Sequence, residues 1–128
     1  MRQDKDGNYH FLGKKGRRFI FTKDNFLKHC QKHQELQRED APKDIEDTLN
    51  NYEVLTKHNP TGSTNYYRVL KVINPKYNTQ IEVCKVYSFK KGNKLYIIAG
   101  ADYIWGLSYQ IINTNEEIIW KNHNSQIS

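Results

Sequence analysis

The sequence predicts an α+β fold in which two N-terminal helices pack on an antiparallel β-meander of about four to five strands. The first observation is that residues 65–103 contain three runs of β-branched and aromatic residues, separated by short links that contain Asn, Pro and Gly. Such links favour hairpins. The second is that residues 22–51, which precede these runs, have helical spacing and capping residues. Helices followed by strands in this order favour helices on one face of a sheet.

The chain begins with a mostly polar segment, 1–8, for which the sequence predicts a flexible end or a connection to a segment upstream. Short strands are expected at 9–12 and at 18–21, with a turn at the glycine- and lysine-rich segment 13–16 between them. With 128 residues, the chain is long enough for a single domain. The core is expected to span about 18–120, and the polar tail 121–128 is expected to be flexible.

The first helix is predicted to begin after Thr22, an N-cap residue, and to continue to about residue 35 or 36. Its spacing predicts a buried stripe on one face, with the polar residues of the same helix outside the stripe or at its margins. The stripe consists of Phe26, Leu27, Cys30 and His33. The polar residues are Lys28, His29, Gln31 and Lys32.

A second helix is predicted to follow Asp40 and to end at Asn50-Asn51. Ile45 and Leu49, one turn apart, are its expected buried pair. After it, the sequence predicts a short strand at 52–56, a turn at 59–63 and the meander, centred on Val69, Val83 and Ile97. Residues 104–112 fit either a strand or a short helix, and 116–120 fit either a closing strand or an amphipathic turn.

Charge is unevenly distributed along this chain, whose net charge is +6. Segment 14–32 has seven cations and one anion, 35–53 has seven anions and two cations, and 57–94 has eight cations and one anion. Solvated faces explain this pattern in part, but two basic blocks in one fold also favour a surface that follows phosphates. The sequence has no membrane-crossing apolar run and no signal peptide. Its two cysteines are expected to be free thiols in a reducing compartment.

His29 and His33 lie four positions apart, so both imidazoles would lie on one side of a helix. Three interpretations are open. In the first, His33 is an ordinary packed histidine and His29 a surface one. In the second, the two histidines bind a metal ion, with Cys30 nearby. In the third, they are an acid–base pair beside a phosphate. The neighbouring Lys28 and Lys32 would repel a dication but attract an anion, so they disfavour the metal-site interpretation.

Three cations, Arg68, Lys71 and Lys85, lie on the predicted meander. The two-residue period places Arg68 and Lys71 on opposite faces and places Lys85 within an apolar row. Lys85 therefore either blunts an edge strand or stabilises charge on a scissile phosphate. The tyrosines between these cations could stack bases, although tyrosine is also simply a good strand former. A metal-nuclease interpretation of Glu82 with Lys85 fails on spacing, because two residues rather than one separate them.

Together, the histidine-bearing helix 26–33, the acidic second helix around 44–46 and the basic strand 65–71 resemble the BECR superfamily of ribonucleases. This superfamily includes barnase, EndoU, colicin-type tRNases and RelE-type toxins. The similarity covers about 18–103 and is greatest to the phage-associated and polymorphic-toxin branch. Lys32 stands where that branch often has arginine. The resemblance implies metal-independent RNA cleavage without a cofactor, often by a toxin that a small acidic protein neutralises.

The expected site follows from the residues and this resemblance together. Expected catalytic residues are His29, His33, Arg68, Lys71 and Lys85. Expected RNA-binding residues are Lys28, Lys32, Tyr67, Tyr87, Ser88 and Tyr103, and Ser88, Tyr87 and Tyr103 are also candidates for the late polar catalytic residue of the family.

The expected partners are RNA, with tRNA as one candidate, and an acidic immunity or antitoxin protein, with no metal, cofactor or membrane. The protein would act in the cytoplasm, including that of a target cell into which it is delivered. The alternative is a non-catalytic basic module of a phage or mobile element that binds nucleic acid or an acidic protein.

Overall fold

The computed structural model describes residues 1–32, 40–73, 76 and 79–128, and for 97–101 it describes the backbone only. The helices are α1 (Lys23–Lys32) and α2 (Ala41–Asn51). The strands are β1 (Arg2–Gln3), β2 (Tyr9–Leu12), β3 (Arg18–Phe21), β4 (Val54–His58), β5 (Thr64–Ile73), β6 (Gln80–Lys91), β7 (Lys94–Leu107) and β8 (Glu116–Lys121). Single 3₁₀ turns occupy Lys14–Gly16 and Ser108–Gln110.

The strands described form one sheet of eight in the order β1-β2-β3-β7-β6-β5-β4-β8. All neighbours are antiparallel except β3 and β7, which pair in parallel through Phe19↔Leu95 and Ile20↔Tyr96. The prediction of an α+β fold with a mostly antiparallel sheet is confirmed. The finer prediction needs correction, because three strands precede the helices and the sheet exceeds four to five strands.

The central meander, β5-β6-β7, has the predicted antiparallel hairpins, and Val69 pairs with Val83 as expected. The third central residue is different: Val83 pairs with Ile104, whereas Ile97 pairs with Ser88. Strand β7 is longer than expected, since 104–107 continues it, and a register shift lies between Val86 and Ser88. Residues 116–121 form the closing strand rather than an amphipathic turn.

Both helices lie on the same side of the sheet as an apolar cluster that we call the helix-side core. Ile45 and Leu49 of α2 are buried in it, which confirms the predicted pair. The other fully buried members are Phe11, Phe19, Phe21, Cys30, Ala41, Tyr66, Cys84 and Val86. Both cysteines are buried and are thiols, as the sequence predicts.

Helix α1 begins as predicted, since the Thr22 hydroxyl oxygen accepts a hydrogen bond from the Asn25 backbone N–H at 3.3 Å. The predicted inward face needs correction. Leu27 is 49% exposed, whereas His29, expected outside the stripe, is buried beside Cys30. The buried positions are therefore 26, 29 and 30, an i, i+3, i+4 stripe. His33, the last predicted member, lies outside the described residues.

The opposite face of the sheet carries a second cluster, which we call the tail-side core. Val54, Tyr67, Ile81 and Val83 of the sheet pack there with Ile111 and Ile127. The C-terminal tail had been expected to be polar and flexible, yet Ile127 is buried. Both helices of the described part of the chain lie on the other face, so the tail covers apolar residues here. At the other end, Arg2–Gln3 extends the sheet as β1 instead of remaining outside it.

Candidate active site

Two neighbouring residues of β7, Asp102 and Tyr103, each belong to a cluster of polar side chains. Across the β6-β7 pairing, Lys85 pairs with Asp102, and Cys84 pairs with Tyr103. The cluster of Asp102 includes a side chain of α1, and the cluster of Tyr103 includes a side chain of α2.

The first cluster joins His29 of α1 to Asp102 and Tyr87. The His29 Nε2 lies 3.2 Å from Asp102 Oδ1, and the Tyr87 hydroxyl donates to Asp102 Oδ2 at 2.9 Å. The His29 side chain is 7% exposed and the Asp102 side chain is 21% exposed. A carboxylate on one imidazole nitrogen fixes the orientation of the ring. Burial, with the charge of Asp102, raises the pKa of Tyr87, so its phenol stays protonated as a donor.

The second cluster joins Arg68 of β5 to Asp44 of α2 and Tyr103 of β7. The Tyr103 hydroxyl donates to Asp44 Oδ2 at 2.6 Å, and an Arg68 terminal nitrogen lies 3.4 Å from Asp44 Oδ1. Cys84 lies between the two clusters, since the charges of Asp44, Arg68 and Asp102 all act on its thiol. Burial raises the pKa of Cys84 to about 12, so this thiol is not a nucleophile at neutral pH.

Lys71 lies on the same face as Arg68, contrary to the two-residue period. A register shift between Val69 and Lys71 makes Val69 pair with Val83 but Lys71 with Glu82. A shift of one residue transfers the following side chains to the other face. Arg68 and Lys71 thus line one open groove of about 500 Å³ with Leu70, Glu82 and the α2 residues Asp40, Lys43, Asp44 and Asp47.

A third polar group, on the tail-side face, is sealed from solvent. The Lys85 Nζ lies 3.1 Å from Glu116 Oε2, and the side chains of this pair are 2% and 0% exposed. The Glu116 carboxylate also accepts hydrogen bonds from the hydroxyls of Tyr67 and Thr56, the Asn65 amide and the Asn113 backbone N–H. Every expected acceptor site of this carboxylate is therefore occupied by protein.

Protonation in this sealed group is set by burial and by its donors. Burial raises the pKa of Glu116, but the hydrogen bonds from Tyr67 and Thr56 and the charge of Lys85 outweigh it, so the pKa is lowered. Burial also lowers the pKa of Lys85, against the opposing effect of Glu116. The four neutral donors around the carboxylate favour its ionised form.

Three predicted site residues need correction because they are inaccessible. Lys85 is almost fully buried and held by Glu116, so it neither blunts an edge, since β6 is central, nor reaches a phosphate from solvent. Tyr67 is fully buried, so it cannot stack a base. Ser88 is buried and its hydroxyl donates to the Thr64 carbonyl oxygen, so it also cannot touch RNA.

Other predicted residues do come together or remain accessible. His29 meets Tyr87 through Asp102, and Arg68 meets Tyr103 through Asp44. Lys28 and Lys32 are exposed on α1, the helix that carries His29. Among the residues described, no group of three His, Cys, Asp or Glu side chains could hold a metal ion.

Sequence reasoning missed the acids that organise these clusters, Asp44, Asp102 and Glu116. The sequence could have indicated Asp102, because it is the single charged residue between Lys94 and Leu107 of β7. For Glu116 the sequence offered no such signal, because its side-chain partners lie 31–60 positions away in the chain.

No protein-family model, curated protein or solved structure matches this chain. Neither of the helices described has the length and apolar character needed to cross a membrane.

Proposed function

We propose that the protein is a metal-independent endoribonuclease of toxin type, whose general base is His29 positioned by Asp102. The observation that carries this proposal is the 3.2 Å contact between His29 Nε2 and Asp102 Oδ1, with Tyr87 fixing the other carboxylate oxygen. A base that is oriented by a third group, itself held in place, is the arrangement that acid–base catalysis uses. The net charge of +6 and the exposed Lys28 and Lys32 favour an anionic substrate.

The reaction is a transesterification. His29 takes the proton from a ribose 2′-hydroxyl, the oxygen attacks the adjacent phosphorus, and the bond from phosphorus to the 5′-oxygen breaks. Asp102 stabilises the imidazolium that forms. A second acid protonates the departing 5′-oxygen, a role for which His33 is the candidate from sequence. The products are a 2′,3′-cyclic phosphate and a free 5′-hydroxyl.

The cations take different parts in this proposal. Lys28 and Lys32 are exposed next to His29 in the helix and would hold the phosphates of the strand. Arg68 lies in the groove with Lys71, 3.4 Å from Asp44, and would stabilise charge on the phosphoryl oxygens by turning from this carboxylate. Lys85 has a structural part, because Glu116 and the surrounding chain enclose its ammonium group.

Cleavage of total tRNA in EDTA tests this function. We expect cleavage that survives the chelator, leaves cyclic phosphate ends and falls about 10²–10⁴-fold in His29→Gln, the typical contribution of one acid–base group. His33→Gln should lose activity similarly. The control is His123→Ala, which removes an exposed histidine and should cleave like the parent. A requirement for added metal, or full activity in His29→Gln with a native melting curve, would contradict the proposal.

A non-catalytic basic module is the second candidate. The observation that favours it is that two of the expected catalytic cations, Arg68 and Lys85, already contact the carboxylates of Asp44 and Glu116. Such a module would bind RNA in a salt-dependent manner and would leave it intact, and both histidine variants would bind as well as the parent.

A further inference from the structure

The turn between β2 and β3 presents three cations in a constrained backbone. Its ends are closed by hydrogen bonds from Gly13 N–H to the Arg17 carbonyl oxygen at 2.7 Å and from Arg17 N–H to the Lys14 carbonyl oxygen at 3.3 Å. Lys15 has φ 59° and ψ 27°, a left-handed conformation that residues with a side chain seldom adopt. Backbone strain of this kind is concentrated at functional sites.

Behind this turn lies a cavity of about 200 Å³, which we call the basic aromatic pocket. It is lined by Lys14, Lys15, Arg17, Phe19, Leu49, Tyr52, Leu55 and Tyr66. These residues include three cations and no carboxylate. The charge of Arg17 also acts on the Tyr66 hydroxyl, so one cation lies near this aromatic ring.

The aromatic rings of Tyr66, Tyr52 and Trp120 contact one another in series, and the first two of them line the pocket. Tyr52 meets Tyr66 edge to face at 5.2 Å between ring centroids and meets Trp120 at 5.4 Å. Trp120 is 43% exposed and lies on β8, the last strand of the sheet. The Lys14 Nζ lies 4.4 Å from the Tyr52 centroid and 5.6 Å from that of Trp120. A flexible lysine thus covers the ring faces and can leave them.

We propose that the basic aromatic pocket binds one nucleotide of single-stranded RNA, with the base on Tyr52 and Trp120 and the phosphate on Lys14, Lys15 and Arg17. The choice of RNA rests on the proposed function, but the pocket itself lies apart from the residues of the His29 cluster. Rings beside cations are the combination that binds single strands without sequence preference. When the nucleotide binds, the Lys14 ammonium moves from the face of the Tyr52 ring to the phosphate.

Cavity size and charge support this ligand over others. A volume of about 200 Å³ is below the ~300–1,000 Å³ typical of pockets for whole small molecules, so it suits one unit of a longer strand. The groove at Arg68 is larger, but four carboxylates line it with three cations, which makes it a poorer anion site. An acidic protein would use the cations of the basic aromatic pocket but would have no need of the rings.

The test is binding of a short 2′-O-methyl oligouridylate, which lacks the attacking hydroxyl and therefore reports binding without cleavage. Fluorescence of Trp120 is followed in a Trp105→Phe background, since these are the two tryptophans of the chain. We expect saturable quenching. Lys14→Gln with Arg17→Gln should weaken binding about tenfold or more, and Tyr52→Leu should do the same through lost stacking.

The matched control is Lys90→Gln with Lys91→Gln, which removes the same charge from the exposed end of β6. If this control weakens binding as much as the pocket variants, or if Trp120 is not quenched, the basic aromatic pocket is not a nucleotide site. If polyglutamate displaces the oligonucleotide and binds Tyr52→Leu as well as the parent, the pocket recognises acidic protein instead. If the oligonucleotide binds at the pocket but the protein does not cleave tRNA, the ribonuclease proposal is wrong and the proposed nucleotide site is still supported.

Discussion

Two pairs of titratable side chains involve neighbouring residues of the sheet, and the two pairs differ in how far they are exposed to solvent. Lys85 and Asp102 are cross-strand neighbours, yet Lys85 pairs with Glu116 and Asp102 pairs with His29. The first pair is 2% and 0% exposed, and the second is 7% and 21% exposed. The first carboxylate accepts five protein hydrogen bonds from side chains and backbone. The second accepts a hydrogen bond from the Tyr87 hydroxyl, and its side chain is partly exposed.

This difference separates a structural pair from a candidate catalytic pair. A buried carboxylate with a complete set of donors is stable in one protonation state and has no room for a substrate. In the second pair, the side chain of Asp102 is partly exposed, so this pair lies close to solvent. Loss of Glu116 should therefore appear mainly in stability, and loss of Asp102 mainly in activity.

The largest effect is expected from Glu116→Gln. It leaves the Lys85 ammonium buried without its counter-charge, which typically costs about 3–5 kcal/mol in the free energy of unfolding. Urea denaturation at neutral pH measures it. The control is Glu117→Gln, the exposed neighbour on β8, with an expected change below about 0.5 kcal/mol.

Adding Lys85→Met to Glu116→Gln should recover part of that loss, because the unpaired charge is then gone. The folded fraction of each variant should still cleave RNA. Equal stability of Glu116→Gln and Glu117→Gln would mean that the sealed pair contributes little to the fold.

A smaller effect, on rate, is expected from Asp102→Asn. Without the carboxylate, the imidazolium loses its stabilising partner, and we expect tRNA cleavage to fall about 10²-fold, which corresponds to about 2.7 kcal/mol of barrier. Single-turnover cleavage measures this, with the melting temperature followed in parallel. Asp24→Asn, an exposed change on α1, should have no effect on rate.

The double variant His29→Gln with Asp102→Asn gives a second readout of the same pair. Residues that act as a unit are not additive, so the double variant should be no slower than His29→Gln alone. If the two losses multiply instead, Asp102 does not act through His29.

The smallest effect is expected in the free energy of unfolding at acid pH. The lowered pKa of Glu116 means that its contribution is complete above the ordinary value of 4.5 and is lost as the pH falls through the lower folded value. The stability difference between the parent and Glu116→Gln should therefore narrow below about pH 4.5. Urea midpoints across this range measure it. A hydrogen bond from His10 lowers the pKa of Asp4 to about 2. Asp4 is present in the parent and in the variant, so its contribution cancels in the difference between their stabilities. A constant difference would show that Glu116 does not ionise differently in the folded state.

Much of the fold could be predicted from local pattern. The capping residue Thr22, the pair Ile45 and Leu49 and the central hairpins follow from spacing and turn residues, which act over a few positions. The parallel pairing of β3 with β7 could not be predicted, because no short-range signal links Phe19 to Leu95. The burial of Ile127 was missed for the same reason.

Less of the candidate site could be predicted. The residue types at His29 and Arg68 indicated acid–base chemistry and anion binding, but their acidic partners lie on distant segments. The bulge after Val69 reversed the face of Lys71, and strict alternation cannot reveal a bulge. Three predicted contacts, at Tyr67, Lys85 and Ser88, were lost to burial.

By itself, the sequence determined the α+β class, the presence of two helices and of the central hairpins, the excess of positive charge and the placing of His29 on a basic helix. These properties depend on composition and on short-range periodicity. Tertiary structure alone decided that Asp102 holds His29, that Glu116 seals Lys85 and that Lys14 covers Tyr52 and Trp120. Charge pairing and access to solvent depend on which strands become neighbours, and that is settled by packing of the whole chain.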